Sequence, residues 1–479
     1  MRVLTKEKRS TLNNIYIQIR HVYIIIYMSV VAFAAMIPVR LVIDGKSGPV
    51  YNCLAGTGIL LFVAEICLNF RKCLNWSGIL RFLFMVACAI SMIFNMKYGI
   101  VSNIKTLCWT GIQIFVLAGI DTDLSTEKIL RHFRQFSEIF TLIWTFGVIL
   151  SLRLFVLQYA DSHWLMGAIS ATREGFVDGR LFGIFTDPNY ASLCSCAVIF
   201  FAICNILPIK KRRKTLSIVY HAVVIFLQIS YVILSGSRTA EVCVLGVSAG
   251  ITLILVAKYC FSKKMNICLK VLLPLIFAVL AVVLCLLGWN LLKAGYSYVP
   301  GIYASFNENA DKTNSKKEIV NFTRSDVANN DDISNLRFTI WKDYIEVFKT
   351  TPIVGTSPRN ALQYIEEYFP DSFAAKRQFS VHNTYLALFV CTGILGGSIM
   401  MIWLLFIAIR VLKYLIRSSV NKPHYYVILM LSCIMMVDAM AAFPLMFMFF
   451  NNMIIDIVFW VTLGFLMALI RKSEEEIKQ

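Results

Sequence analysis

Apolar runs alternate with short polar connections along nearly the whole chain, and a single polar interval of about ninety residues breaks the alternation. The runs fall at roughly 22–39, 50–70, 79–96, 104–120, 137–157, 189–207, 217–235, 239–257, 269–290, 384–409, 424–445 and 451–470. Each is close to the ~20 residues a helix needs to cross a ~30 Å hydrocarbon core. Twelve membrane-spanning helices are predicted, with the polar interval, about Leu291 to His382, between the ninth and tenth. Within it, Asn307–Asp332 is polar and poor in large apolar residues, which predicts a mobile segment. From Ser334 to Lys349 the spacing of Leu336, Ile340, Trp341, Tyr344, Ile345 and Phe348 predicts an amphipathic helix, with Ser334 as N-cap and Pro352 at the exit. A second helix is expected to start at Ser357-Pro358, with Ser as cap and Pro at the first helical position, placing Ala361, Leu362, Ile365 and Phe369 on one face. The two helices would cover a cavity between the spans.

Composition agrees with this class. Of 479 residues 58% are hydrophobic and 15% charged, with a mean hydropathy of +0.69, whereas soluble domains carry about 25% charged residues. The excess of 46 Lys+Arg over 28 Asp+Glu, +18 in all, would suggest nucleic acid as partner in a soluble protein. Here it sits in short loops: Arg71-Lys72 with Arg81, Lys128/Arg131/Arg134, Lys210–Lys214, Lys258/Lys263/Lys264/Lys270, Arg410/Lys413/Arg417/Lys422 and Arg471-Lys472. With twelve spans all of these fall on the side of both termini, which the positive-inside tendency makes cytoplasmic. The long interval is near neutral, with about eleven Lys/Arg against about eleven Asp/Glu. Nucleic-acid binding is set aside. The fold expected is an all-α polytopic membrane protein of about twelve transmembrane helices with a large extracytoplasmic loop between helices nine and ten. Its parts are 1–290 (helices one to nine), 291–383 (the loop) and 384–479 (helices ten to twelve and a cytoplasmic tail). The 14 cysteines lie mostly in apolar runs without CxxC or zinc spacing and read as small buried hydrophobes. The basic start (Arg2, Lys6, Lys8, Arg9) before the first run reads as an uncleaved signal anchor.

On this topology arginines collect beside the spans on the outer face, against the usual bias. Arg153 ends the fifth span, Arg180 precedes the sixth in Arg180-Leu181-Phe182-Gly183-Ile184-Phe185-Thr186-Asp187-Pro188-Asn189, Arg238 sits in the tight turn Ser235-Gly236-Ser237-Arg238, and Arg337 opens the first amphipathic helix. One such arginine alone is ordinarily a snorkelling side chain. Several on one surface suit a diphosphate whose lipid tail stays in the bilayer, because guanidinium is always charged and matches phosphate oxygens bidentately. His382, at the membrane edge of the long interval, could take a proton from a sugar hydroxyl with an ordinary pKa near ~6.5, although a histidine before a helix is more often a cap or surface residue. His163 and His221 are rivals. Glu65, Glu241, Asp438 and Asp456 lie in or near spans; Glu241, three residues after Arg238, is expected to pair with it. No carboxylate cluster resembles a metal site, and no P-loop, DxD or GxGxxG stands in a credible context.

Four of these pieces, in this order, resemble the O-antigen ligase and polymerase superfamily of bacterial surface-polysaccharide enzymes. They are Arg180 to Asn189; Ser237-Arg238; Arg337 with Trp341, followed by Thr351-Pro352-Ile353-Val354-Gly355; and His382-Asn383 with Leu386 and Gly393. The resemblance covers about Phe140 to Ile407, and departs from the family at Gly355-Thr356-Ser357, where a second glycine is common. It implies a metal-independent, cofactor-free glycosyltransferase acting on undecaprenyl-diphosphate-linked glycans at the bacterial cytoplasmic membrane, with membrane lipid, a flippase and a chain-length regulator as partners. Arg180, Arg238 and Arg337 would hold the diphosphate. His382 would orient or deprotonate the acceptor hydroxyl. Arg153, Asp187, Asn189, Trp341 and Asn383 would contact substrate. The leading expectation is a polymerase of lipid-linked repeat units, for capsule or O-antigen. The alternative is a ligase passing finished glycan to a different acceptor. A flippase or other transporter would call for charges near the bilayer midplane and repeat symmetry, and the outer-edge arginines argue against it.

Overall fold

An apolar run in lipid must satisfy every backbone N–H and C=O within itself, which a helix does. The computed structural model describes residues 6–119, 124–164, 171–207, 215–306, 319–324 and 334–478. In chain order the helices are α1 (Lys6–Ala34), α2 (Ile37–Ile43), α3 (Gly48–Cys73), α4 (Trp76–Phe94) and α5 (Ile100–Gly111), the last continued by a π-helical stretch Ile112–Leu117. After α6 (Thr126–Val156) come three strands, β1 (Ala160–His163), β2 (Thr172–Val177) and β3 (Arg180–Gly183). Then follow α7 (Pro188–Ile206), α8 (Thr215–Leu234), α9 (Arg238–Ser262), α10 (Ile267–Tyr296), α11 (Val299–Phe306), α12 (Arg337–Thr350), α13 (Ala361–Tyr368), α14 (Phe373–Arg377), α15 (Thr384–Arg417), α16 (Tyr425–Ala441) and α17 (Ile454–Lys478). Among the described residues eleven helical spans are long and apolar enough to cross a membrane, and α16 is a shorter apolar helix at the place of the expected eleventh run. The protein is an all-α polytopic membrane protein. The basic cluster Lys210–Lys214 lies outside the described residues.

The spans are not equivalent. The most apolar window of α17 is 89% buried, and that of α10 only 11%. A helix apolar all round belongs inside, and α17 is the hub, packed by α1, α6, α7 and α16. The α10 helix lies outermost, supported mainly by α9.

Two local structures differ from the sequence expectation. The connection between α6 and α7 is a three-stranded antiparallel sheet in the order β1-β2-β3. Its β2–β3 turn is Asp178-Gly179, with φ of 53° and 69°, the left-handed pair that two-residue hairpins favour. The second difference is at Ser357-Pro358, which opens no helix. Ser357 has a φ of 80°, its N–H donates to Cys391 O at 2.9 Å and its hydroxyl to Asn103 Oδ1, so α13 begins only at Ala361.

That loop is clamped to a break in α15. Gly393 has φ 63° and ψ −170°, which interrupts the helical ladder and frees carbonyls before it and N–H groups after it. The loop supplies partners for both. Thr356 N and Ser357 N donate to Val390 O and Cys391 O, both at 2.9 Å, while Ile394 N and Leu395 N donate to Pro352 O (2.7 Å) and Ile353 O (3.3 Å). Asn95 Nδ2 adds a bond to Gly355 O at 3.0 Å, and Asn103 Nδ2 one to Asn360 Oδ1 at 3.0 Å. Helices α12–α14 form a cap with a small core of its own, Ile340, Tyr344, Val347, Ile365 and Ala374, closed below by Val381, Ala387 and Val390. The Tyr344 hydroxyl donates to Phe379 O at 2.8 Å. Ser334 keeps a capping role, its hydroxyl accepting from Phe338 N at 3.2 Å.

The segment expected to be mobile is partly docked. Residues 307–318 and 325–333 lie outside the described residues, but 319–324 lie against the body. Val320 N donates to Ser297 O at 3.1 Å, and the Phe322 ring stacks on Phe155 and meets Phe176 edge-on, with centroids 6.2 and 5.8 Å away.

Candidate functional site

All four sequence motifs stand at the starts of helices on the face that carries the cap. Arg180 to Asn189 leads into α7, Arg238 starts α9, Arg337 starts α12, and His382-Asn383 precedes α15. Helix N-termini carry partial positive charge and point unpaired N–H groups outward, so this face favours anions before any side chain is considered.

Arg180 is buried at 7% exposure and held in place. Its Nε donates to Ser235 O and its Nη2 to Asn189 Oδ1, both at 3.0 Å, and its guanidinium lies 5.5 Å from the Phe182 ring centroid. A Cβ on Gly236 would come within 3.0 Å of Arg180 Cγ, and Gly236 has a φ of +61°, so only glycine lets this turn approach so closely. Asp187 caps α7, its Oδ1 accepting from Asn189 N at 2.7 Å and Tyr190 N at 3.4 Å. Burial pushes its carboxyl above the usual range, against the hydrogen bond from Asn189 N and the charge of Arg180.

Arg238 is exposed at the first turn of α9, after Ser237, whose hydroxyl accepts from Ala240 N at 3.3 Å. It lines a cleft of about 350 Å³ with Gly236, Lys293, Arg324 and Glu241. Among the described residues Glu241 makes no ion pair with Arg238, contrary to the sequence expectation; at the start of α9 it shares the cleft wall instead. Arg324 was not foreseen. It sits in the stretch expected to be mobile, yet its Nη1 donates to Gly236 O at 3.0 Å. The one signal for it is the apolar triplet Ile319, Val320 and Phe322 in an otherwise polar run, which anchors the segment.

Arg337 is half-buried. Burial lowers its pKa; the charges of Arg324 and Arg238 press in the same direction, while those of Tyr190 and Asp187 oppose them. These groups therefore share one electrostatic neighbourhood. His382 belongs to it as well: burial first, then the charge of Arg337, pulls its imidazole down to about 4. An imidazole in water titrates near ~6.5, so its surroundings favour the neutral form of His382. His382 also has a φ of 48°, a left-handed conformation costing an L residue roughly 1–2 kcal/mol. Its neighbours impose it: the Trp341 indole donates to His382 O at 3.4 Å, Val381 is buried in the cap core, and Asn383 caps α15 by accepting from Leu386 N at 2.9 Å. Thr384 ties the start of α15 to the 442–447 turn, its N–H donating to Ala442 O at 2.8 Å and its hydroxyl to Leu445 O at 2.9 Å.

Of the nine residues singled out from sequence, the structure gathers eight. Arg180, Asp187 and Asn189 form one hydrogen-bonded group, and Arg238, Arg337, Trp341, His382 and Asn383 adjoin it. Asp187 and Asn383 hold helix starts. Arg153 stands apart, exposed on the last turn of α6, with no hydrogen bond or ion pair to the others among the described residues. The rival histidines have structural partners, His163 with Glu174 at 2.5 Å and His221 with Ser217 O at 2.7 Å and with Glu138.

Residues 221–401 match the family model described as O-antigen ligase. The match supports the O-antigen ligase and polymerase superfamily and spans Arg238, Arg324, Arg337, the Gly355–Gly393 clamp and His382. Arg180, Asp187 and Asn189 precede it in sequence and join it in space. Members of the O-antigen ligase family are glycosyltransferase-like enzymes, and that family implies a lipid-linked glycan as substrate. No curated protein matches the chain.

On the far side of Tyr190 lies a second cavity of about 340 Å³ beneath the cap, lined by Tyr190, Tyr344, Arg359, Gln363, Ser380 and Asn451 among others. Val381, the residue before His382, also lines it.

Proposed function

We propose that the protein polymerises lipid-linked polysaccharide repeat units on the outer face of the bacterial plasma membrane. It transfers a glycan from undecaprenyl diphosphate to a sugar hydroxyl of another repeat. The observation that carries this is the convergence of Arg180, Arg238, Arg324 and Arg337 beside His382. The acceptor hydroxyl, in the cavity under the cap, attacks the anomeric carbon. A carbon–oxygen bond forms there as the bond to the diphosphate oxygen breaks, and the diphosphate leaves with the electron pair. The hydroxyl proton passes to the neutral imidazole of His382. Fixed guanidinium charge meets the charge developing on the leaving group, and in this scheme it takes the part a metal ion has in other diphosphate chemistry.

The orientation is supported by the basic residues at the opposite ends of the same helices. Lys258 at the foot of α9 donates to Ile416 O at 3.0 Å, and Arg410 in α15 pairs with Glu474 in α17 at 2.6 Å; basic residues gathered at these ends support a reading with both termini cytoplasmic.

The description of the matched family favours the second reading, a ligase that moves finished glycan to another acceptor. One experiment separates them. In a strain lacking the gene, a lost polymerase leaves single lipid-linked repeats, whereas a lost ligase leaves long lipid-linked chains. We expect single repeats. Long chains would replace polymerase by ligase, and unchanged glycans would remove both.

A further inference from the structure

We propose that an apolar recess between α7, α8, α9, α10 and α16 receives the hydrocarbon chain next to the diphosphate of the donor. The proposal rests on the donor assignment above and extends it from headgroup to lipid tail.

The recess measures about 370 Å³, and its walls are almost wholly apolar, including Ile229, Val244, Val247, Cys285 and Gly288. Ile233 and Trp289 line it and also line the cationic cleft that contains Arg238, Lys293 and Arg324. The two spaces therefore share walls. On α10, Cys285, Trp289 and Lys293 follow at four-residue intervals, each about 6 Å further along one face of the helix. Cys285 belongs to the apolar recess, Lys293 to the cationic cleft, and Trp289 to both. Helix α9 has the same order. Arg238 and Glu241 line the cleft, and about one to three turns further in Val244, Val247 and Ile251 line the recess. On α8, Gly236 past its end lines the cleft and Ile229 the recess, with Ile233 between. Helices α9 and α10 thus present positive charge at the cap face and hydrocarbon surface immediately inward, with α8 running alongside from Gly236 in the cleft to Ile229 in the recess, the amphipathic order of a lipid anion. The Glu241 carboxylate is outnumbered in the cleft by Arg238, Lys293 and Arg324.

What fills the recess follows from its position. Its outer wall is α10, the least buried span, so a lipid can enter sideways. An occupant tethered to an anion in the adjoining cleft gains both contacts together, which a free acyl chain does not. The recess takes only the first isoprenoid segment; the rest of the chain remains in the bilayer.

Gly288 allows a direct test, because a Cβ there meets no heavy atom within 4 Å. Gly288→Trp fills the recess, and Gly288→Leu fills it partly with a better helix former. Purified full-length enzyme in detergent is given the same repeat unit on a long polyprenyl diphosphate and on a two-isoprene diphosphate. Wild type is expected to prefer the long-chain donor, and Gly288→Trp to reduce that preference in kcat/KM by roughly tenfold, since several buried methylenes are displaced, with Gly288→Leu intermediate. Equal losses on both donors, or no change in the ratio, would overturn the tail assignment while leaving glycan transfer standing. Competition by a phosphatidylglycerol vesicle as strong as by the sugar-free long-chain diphosphate would also overturn it, marking the recess as an ordinary lipid site. If wild type transfers from neither donor, the donor assignment falls and the tail assignment with it.

Discussion

His382→Gly is expected to lower glycan transfer by about 10²–10⁴-fold, the usual contribution of a positioned general base, while the protein still inserts. Glycine is the apt replacement because residue 382 has a φ of 48°; alanine would add backbone strain to the lost imidazole. The pH profile makes the test sharper. Burial and the charge of Arg337 hold the imidazole down to about 4. A base acts when unprotonated, so lowering its pKa extends activity to more acid conditions. The acid limb of kcat/KM, which reports the free enzyme, is expected near pH 4 rather than near the ordinary ~6.5. Arg337→Gln removes one of the two causes and should move that limb upward, alongside a fall in rate from the lost diphosphate contact. A wild-type limb near ~6.5, or His382→Gly activity within a few-fold of wild type, would remove His382 from the chemistry.

Gly355→Ala is expected to destabilise the protein by about 3–5 kcal/mol, at the severe end for a single substitution. Two costs combine. Gly355 has a φ of +70°, and a Cβ there would sit 2.5 Å from the Cys391 carbonyl carbon and from Thr392 N. The left-handed conformation alone costs roughly 1–2 kcal/mol, and backbone atoms cannot yield as a flexible side chain can. Gly393, φ +63°, faces Ile353 O and Val354 N in the same way. Melting in detergent checks it: Gly355→Ala should denature well below wild type, whereas Gly301→Ala, where a Cβ meets nothing within 4 Å, should not. Equal midpoints for wild type and Gly355→Ala would mean that the loop is not clamped to α15.

The apolar runs made the spans legible because lipid leaves a backbone segment one economical option, and composition reports it directly. The cap helix from Arg337 was legible for a similar reason, Ile340, Trp341 and Tyr344 recurring at helical spacing. Features set by contacts distant in sequence were not. The sheet after α6 consists of strands four to six residues long, too short for a periodic signal. Ser357-Pro358 has the local chemistry of a helix start, overridden by Asn103 and the Cys391 carbonyl. Arg324 lay in a polar stretch whose order depends on Phe322 reaching Phe155. For His382 the identity was legible from its company of arginines, but not its pKa, which depends on burial and on Arg337, 45 positions earlier in the chain.

The permanence of the arginine charges carries a consequence for turnover. On the proposed reaction, transfer removes the sugar from the lipid while Arg180, Arg238, Arg324 and Arg337 meet the same diphosphate before and after, and no guanidinium loses its proton at any accessible pH. The spent carrier therefore fits its cleft at least as well as the loaded one did, and nothing in the charge pattern expels it. On the proposed reaction, each cycle ends with the enzyme occupied by its own by-product. Its steady-state rate is then governed by how fast the membrane drains that carrier away, a matter of lipid recycling rather than of sugar chemistry.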